Sequence, residues 1–365
     1  MNHVDLRKAA LGIASRDRLS LAVEGGSLGA NLANIIARSS PADGNFLLIG
    51  TSTPKLLSAL WTICSAQKCA LNHHDPDRSG PEIAFAPDGI RQLEAALPWC
   101  LRTARTQADS LLQNENIKSY SMLMEVLERI NRAGQEKPLV QSESMDVVVV
   151  DMMINRLDHS KFELLLQEAF RVLKREGILH IVAMVADEPL EETEDLRFGT
   201  WQARQLPLEK NAAEIVAHVG FHGITYHLAQ DRPVRTVHGV EIRAVVLEAY
   251  KGKQGTCYDQ GHAVIYRGPW SEVADDDGHR YQRGARTAVC GKTYKLLTRQ
   301  PYRDSFIGIE PYVTIPLEQA PVFDCNTPSL RDPAVSKGRV SVFDQDAAQK
   351  QSATNSSCCG EEGCC

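Results

Sequence analysis

Residues 358–365 read CCGEEGCC and set four thiols, Cys358, Cys359, Cys364 and Cys365, on a polar stretch. Adjacent cysteines that pair with each other close a strained ring. Two such pairs are therefore read as thiols held out for a soft partner, a metal or metalloid that prefers several sulfur donors. The plain alternative is a thiol tail without a ligand. Glu361 and Glu362 disfavour thiolate beside them, which makes the octet less reactive than a basic neighbourhood would. The chain has ten cysteines. Cys64 and Cys69 are spaced C-x4-C, which is not a zinc spacing, and with Cys100 they read as core thiols. Cys257, Cys290 and Cys325 read as buried structural thiols, or as a small thiol set if the fold brings them together.

Other groups invite chemistry more weakly. His73 and His74 precede Asp75, Pro76 and Asp77. Adjacent histidines on extended backbone point to opposite faces, so this stretch reads as a strand-end turn beside a ligand cleft rather than a metal site. Asp275, Asp276, Asp277, Gly278 and His279 lack the alternate-residue spacing of a calcium loop and read as a tight turn between strands. Asp151 and Asn155 fall at the end of the most apolar strand of the chain. Two roles are open to them: lining a ligand cleft, or capping the segment that follows.

The elements that would carry these groups can be read from apolar spacing. The first forty-five residues read as helical. FLLIG, residues 46–50, reads as a buried strand, PKLLSALWTICSAQ as a helix starting near Pro54, and KCALN as a second strand. Residues 88–134 read as mostly helical. MDVVVVDM, 145–152, is apolar without alternation, as a parallel strand buried on both faces should be. KFELLLQEAFRVLKREG reads as a helix ended by Gly177, and ILHIVAMVA as the next strand. EKNAAEIVAHVGF, ITYHLAQ and VEIRAVVLEAY add a helix and two strands. This alternation predicts a parallel α/β sheet with helices on both faces. Beyond Tyr250 the chain turns rich in Gly and Tyr and reads as a β-rich module with short strands such as HAVIYRG and TAVCGKTYKLL. The expected division is therefore an α/β domain over 1–250, a β-rich module over 251–340 and a flexible cysteine tail over 341–365.

Composition bounds the function. Hydrophobic residues are 43% and charged residues 24%, as in ordinary globular chains. A net charge of −6 disfavours nucleic acid and anionic membranes as partners. No apolar run reaches membrane-spanning length, and no signal pattern opens the sequence. The expectation is a cytoplasmic protein with reduced thiols.

MDVVVVDMMIN followed by EAFRVLKREGILHIV resembles the fourth and fifth strands of Rossmann-like, S-adenosylmethionine-dependent methyltransferases. AVIYRGPWSEVADDDGHRYQRGARTAVCGKTYKLL, with IPLEQAPVFDC and PAVSKG after it, resembles the C-terminal region of the arsenite methyltransferase family, whose members often carry paired terminal cysteines. The resemblance runs over roughly 145–340. It implies a Rossmann-like class I domain, S-adenosylmethionine as cofactor, a thiol-bound trivalent arsenical as acceptor, and a thiol reductant such as glutathione or thioredoxin as partner. It implies a cofactor cleft lined by Gly50, Thr51, Ser52, Asp75, Asp151 and Asn155. Arsenic would be captured by Cys358, Cys359, Cys364 and Cys365 and passed inward by thiol exchange.

Two departures stand out. The family's Gly-rich cofactor turn is here FLLIGTSTPKLL, with Gly50 alone and side chains at Thr51, Ser52 and Thr53. The family's cysteine after the fourth strand is replaced in DMMIN by Met152 or Met153, and a thioether cannot form thiolate. The cysteine expected in the helix after the fifth strand corresponds to Trp201 in RFGTWQARQL. These departures leave open a non-methylating relative that keeps arsenic or another thiophilic element on its thiols.

Overall fold

A computed structural model describes residues 44–50, 70–74, 91–93, 95–97, 100–113, 117–190, 196–198, 201–228, 232–252, 254–275, 277–300, 302–325 and 329–344. The chain divides into two compact units, Met1–Gly252 and Lys253–Cys365.

In the first unit, seven strands define the sheet: β1 (Asn45–Ile49), β2 (Ala70–His74), β3 (Arg91–Gln92), β4 (Met145–Asp151), β5 (Leu173–Ala186), β6 (His222–Leu228) and β7 (Val240–Tyr250). Their spatial order is β6-β7-β5-β4-β1-β2-β3, and a short strand at Arg235–Val237 adds to β7. Neighbours from β3 to β5 run parallel. Only β7 opposes its neighbours, antiparallel to both β5 and β6.

Side-chain alternation splits the apolar residues between two faces. Leu47, Ile49, Val148, Val150, Leu179 and Ile181 face one core. Phe46, Leu48, Val147, Val149, Val182 and Met184 face the other. The first core is covered by helices, with Phe162, Leu165 and Leu166 from His159–Val172 and Ala212 and Val216 from Glu209–His218. The second is closed, among the described residues, by Leu196, Ala203 and neighbours from irregular chain rather than by a helix. The helix expected from Pro54 and the N-terminal helical stretch lie outside the described residues.

Several local expectations are corrected. The stretch read as helical from residue 88 contains β3 and an antiparallel pair, Ala95–Leu97 with Cys100–Ala104, before α1 (Arg105–Gln113) and α2 (Tyr120–Glu136). The second strand of that pair is held by tertiary contacts: Leu101 is buried, its amide donates to Glu168, and the Arg102 guanidinium bonds the same carboxylate at 2.7 Å. The helix before β5 ends at Val172, not at Gly177. Gly177 lies inside β5, beside Glu176 at φ 71°, where the pairing with β4 shifts register. A Cβ at Gly177 would meet the Lys174 carbonyl oxygen at 2.9 Å, so the bulge requires glycine. The stretch RFGTWQARQL is not a helix: Arg197–Phe198 pairs antiparallel with Trp201–Gln202.

The second unit has a three-stranded antiparallel sheet of β8 (Ala263–Tyr266), β11 (Arg286–Ala288) and β12 (Phe306–Ile309), with β8 in the middle. A hairpin of β9 (Glu272–Ala274) and β10 (Arg280–Gln282) accompanies it. Val264, Tyr266, Tyr281, Val289, Leu297 and Phe306 form its core. The run TAVCGKTYKLL is strand only to Ala288 and then becomes a helix, Gly291–Leu297, because Cys290 caps it. No helix among the described residues is long and apolar enough to cross a membrane.

Candidate functional site

The sheet order reverses between β1 and β4. Chain leaves β1 toward β2 on one side and β4 toward β5 on the other, and in open α/β sheets ligands bind in the crevice at the carboxyl ends of the strands at such a point. Gly50 follows β1 there with φ 138°, and an added Cβ would sit 2.4 Å from the Asp151 carbonyl oxygen. Only glycine fits, because a Cβ at residue 50 would collide with the end of β4. Asp151 ends β4 and is buried. Met152 follows in the left-handed region, φ 55° and ψ 13°, a conformation that side-chain-bearing residues hold only under local constraint. The bare backbone, the buried carboxylate and the strained turn therefore meet at the switch point.

Asn155 belongs to the support of this site. It is fully buried. Its Nδ2 donates to the Met184 carbonyl at 2.8 Å and to the Gln205 carbonyl at 3.2 Å, while its Oδ1 accepts from the Met184 amide at 2.9 Å. The last ladder pair between β4 and β5 is Asp151 with Val182. Beyond it β5 has lost its neighbour, and the Asn155 amide bonds Met184 as one more peptide of β4 would. The side chain is a clasp beneath the crevice. It caps no helix: Asp158 caps the following one, accepting from the Lys161 amide at 3.0 Å. Contact with Lys161 holds the Asp158 carboxyl down to about 2. Thr51, Ser52 and Asp75, expected to line the same cleft, lie outside the described residues, as do Cys64, Cys69 and the four cysteines 358, 359, 364 and 365.

A buried polar group away from the crevice carried no sequence signal. His180 on β5 is paired across strands with Glu248 on β7, and its Nδ1 lies 3.9 Å from Glu248 Oε2. His227 Nε2 approaches the same oxygen at 3.9 Å, and Tyr250 Oη donates to the other. Burial lowers the His180 pKa to about 4, against a smaller opposing pull from Glu248.

In the second unit the sulfur atoms of Cys257, Cys290 and Cys325 all lie within 4.8 Å of one another. Cys290 is fully buried and the other two are partly exposed. Cys290 Sγ accepts from the Thr293 amide at 3.4 Å and contacts Thr293 Oγ1 at 3.3 Å. The segments that bring the thiols together are stitched by backbone: Phe323 N donates to the Cys257 carbonyl at 2.9 Å, Asp259 N to Pro321 at 2.8 Å and Gly291 N to Tyr258 at 3.3 Å. Asp259 and Arg331 anchor the first segment as a buried ion pair at 2.7 Å. Burial raises the pKa of Cys257 and of Cys325, and the neighbouring thiols raise that of Cys325 further. The second of the two readings open to these cysteines, a convergent thiol set, describes the geometry.

The acidic turn behaves as expected. Asp275 Oδ1 accepts from the amides of Asp277 and His279, both at 3.0 Å, and Oδ2 contacts His279 Nδ1 at 2.8 Å and Tyr281 Oη at 3.1 Å. The carboxylate closes the β9–β10 turn.

With three parallel strands from β1 to β3, two from β4 to β5, and one antiparallel strand inserted before the edge, the sheet decides the class. The first unit has the Rossmann-like class I methyltransferase fold. Residues 253–341 match a family described as a domain of unknown function (DUF8838). No curated protein matches. Among solved structures the chain is similar to an arsenic(III) S-adenosylmethionine methyltransferase from Chlamydomonas reinhardtii, at 14% identity over 79% of this chain and 88% of that one, with a TM-score of 0.40. It is also similar to a methyltransferase from Archaeoglobus fulgidus (9% identity, 61% and 94% covered, TM-score 0.38). A third likeness is to a possible histamine N-methyltransferase from Thermotoga maritima (16%, 66% and 97%, 0.37). At these values the likenesses add nothing to the strand order, which alone carries the class.

Proposed function

We propose that this chain transfers a methyl group from S-adenosylmethionine to trivalent arsenic held on thiols. The observation that carries the reading is the meeting of Gly50, Asp151 and Met152 at the switch point of a methyltransferase sheet. The residues described there fit a cofactor in kind: backbone without a side chain at Gly50, a buried carboxylate at Asp151, and Asn155 fixing the strand end beneath them. Thr51, Ser52 and Asp75 would complete the cradle. When bound, S-adenosylmethionine supplies an electrophilic methyl group on a sulfonium.

The rest is positioning, which is where proteins gain most in bringing two reactants together. Arsenic is soft and prefers several sulfur donors. Thiols that replace its hydroxyls fix its orientation and leave its lone pair free. Cys358, Cys359, Cys364 and Cys365 would capture an inorganic or organic arsenical, and a reductant such as glutathione or thioredoxin would keep the thiols reduced.

Met152 favours a second reading. It, or its neighbour Met153, occupies the place that the resemblance gives to a thiol, and a thioether cannot ionise. Under that reading the chain holds arsenic without alkylating it. Calorimetry with S-adenosylmethionine on the full reduced chain separates the two. Saturable heat is expected; no heat at millimolar cofactor removes methyl transfer and leaves the binding protein.

A further inference from the structure

We propose that Cys257, Cys290 and Cys325 form a binding site of their own for a trivalent, three-coordinate metalloid, separate from the cysteines at 358–365. The choice of arsenic as the ion rests on the function proposed above; the site itself rests on geometry.

Three sulfur atoms within 4.8 Å of one another are close to what a metal–thiolate centre requires. A tetrahedral centre with metal–sulfur bonds of about 2.3 Å holds its sulfurs about 3.8 Å apart. The sulfurs are thus at most about one ångström too far apart for such a centre. The backbone is already fixed: the Cys257 carbonyl is bonded to Phe323 N, near Cys325, and Tyr258, next to Cys257, is bonded to Gly291 N, next to Cys290. The Asp259–Arg331 pair, 2% and 1% exposed, locks the segment that carries Cys257. Partial exposure of Cys257 and Cys325 leaves an approach path, while buried Cys290 forms the floor.

The donor count agrees with that choice. Among the described residues no histidine, carboxylate or further cysteine joins the three sulfurs. Structural zinc closes its shell with four protein donors. Trivalent arsenic is complete with three and keeps a lone pair in the fourth direction. The exchange balances without an oxidant or reductant. Arsenous acid, As(OH)3, loses three hydroxyls as three As–O bonds break. Three As–S bonds form, each thiol proton leaves on a departing hydroxyl as water, and arsenic stays trivalent. A divalent cation would instead have to expel the protons into solvent.

The test uses the full chain with the four cysteines at 358, 359, 364 and 365 replaced by serine, kept reduced with a phosphine. Arsenite is added, the protein is desalted, and retained arsenic and free thiols are counted. The expected result is one arsenic per chain with three thiols consumed. Cys325→Ser, at a partly exposed position, and Cys290→Ser should each lower retention at least tenfold, with circular dichroism unchanged for Cys325→Ser. Unchanged retention in Cys325→Ser, or two thiols consumed per arsenic, would overturn the site. So would zinc bound at the same thiols that arsenite cannot displace. S-adenosylmethionine calorimetry on the same samples separates the two proposals. Lost arsenic with intact heat sinks this site alone, and lost heat with retained arsenic sinks methyl transfer alone.

Discussion

The two candidate sites are built by opposite means. At the carboxyl ends of β1 and β4, the site is made by backbone: Gly50 has no side chain, Met152 takes a left-handed turn, and the Asn155 amide stands in for a missing peptide of β4. In the second unit the site is made by side chains, three sulfurs carried on separate segments whose backbones are bonded together. A backbone site tolerates almost no change at its glycine but is indifferent to donor chemistry. A thiol site depends wholly on donor chemistry and on the clamp that holds its segments.

Substitution at Gly50 should break the contrast most severely. Gly50→Ala forces a Cβ against the Asp151 carbonyl and a side chain into positive φ, and is expected to cost about 3–5 kcal/mol by denaturant titration. In the second unit the comparable weak point is the clamp. Arg331→Met strands the Asp259 carboxylate in a buried position and should cost about 3–5 kcal/mol, whereas Asp259→Leu/Arg331→Met should recover most of it. Arsenic retention should fall in the single variant even with all three thiols present.

Acid should weaken the strand unit next. His180 has a folded pKa of about 4, below its ordinary 6.5, so the unfolded chain takes up the proton first. Above pH 6.5 neither state is charged and stability is unaffected. Between about 6.5 and 4 it should fall by roughly 3 kcal/mol, and His180→Leu should flatten that part of the curve. Asn155→Leu leaves the amide and carbonyl of Met184 buried without their partner and should cost about 2 kcal/mol, with a weaker S-adenosylmethionine heat as the sign that the clasp supports the crevice.

What could be read from residues alone follows the range of the forces involved. β4 was legible because four consecutive valines leave no polar face, which only a strand buried on both sides tolerates. The β-rich character of the second unit was legible from its turn residues. The helix expected through Cys100–Ala104 was not formed, because Glu168 bonds the Leu101 amide and Arg102, and such a contact has no local signature. Gly177 looked like a helix stop because glycine marks stops and bulges alike. Asn155 follows β4 closely in sequence, but whether it lines, caps or clasps depends on Met184, far along the chain. The thiol set was open for the same reason: three cysteines on separate loops converge only through long-range backbone bonds.

The central claim is most directly tested by following the methyl group. Reduced full-length protein is incubated with arsenite, glutathione and S-adenosylmethionine labelled in its methyl carbon, and arsenic species are separated by chromatography. The account predicts label in methylated arsenic, absent with Gly50→Ala. Arsenite recovered without label, from protein that binds both arsenite and S-adenosylmethionine, would contradict it.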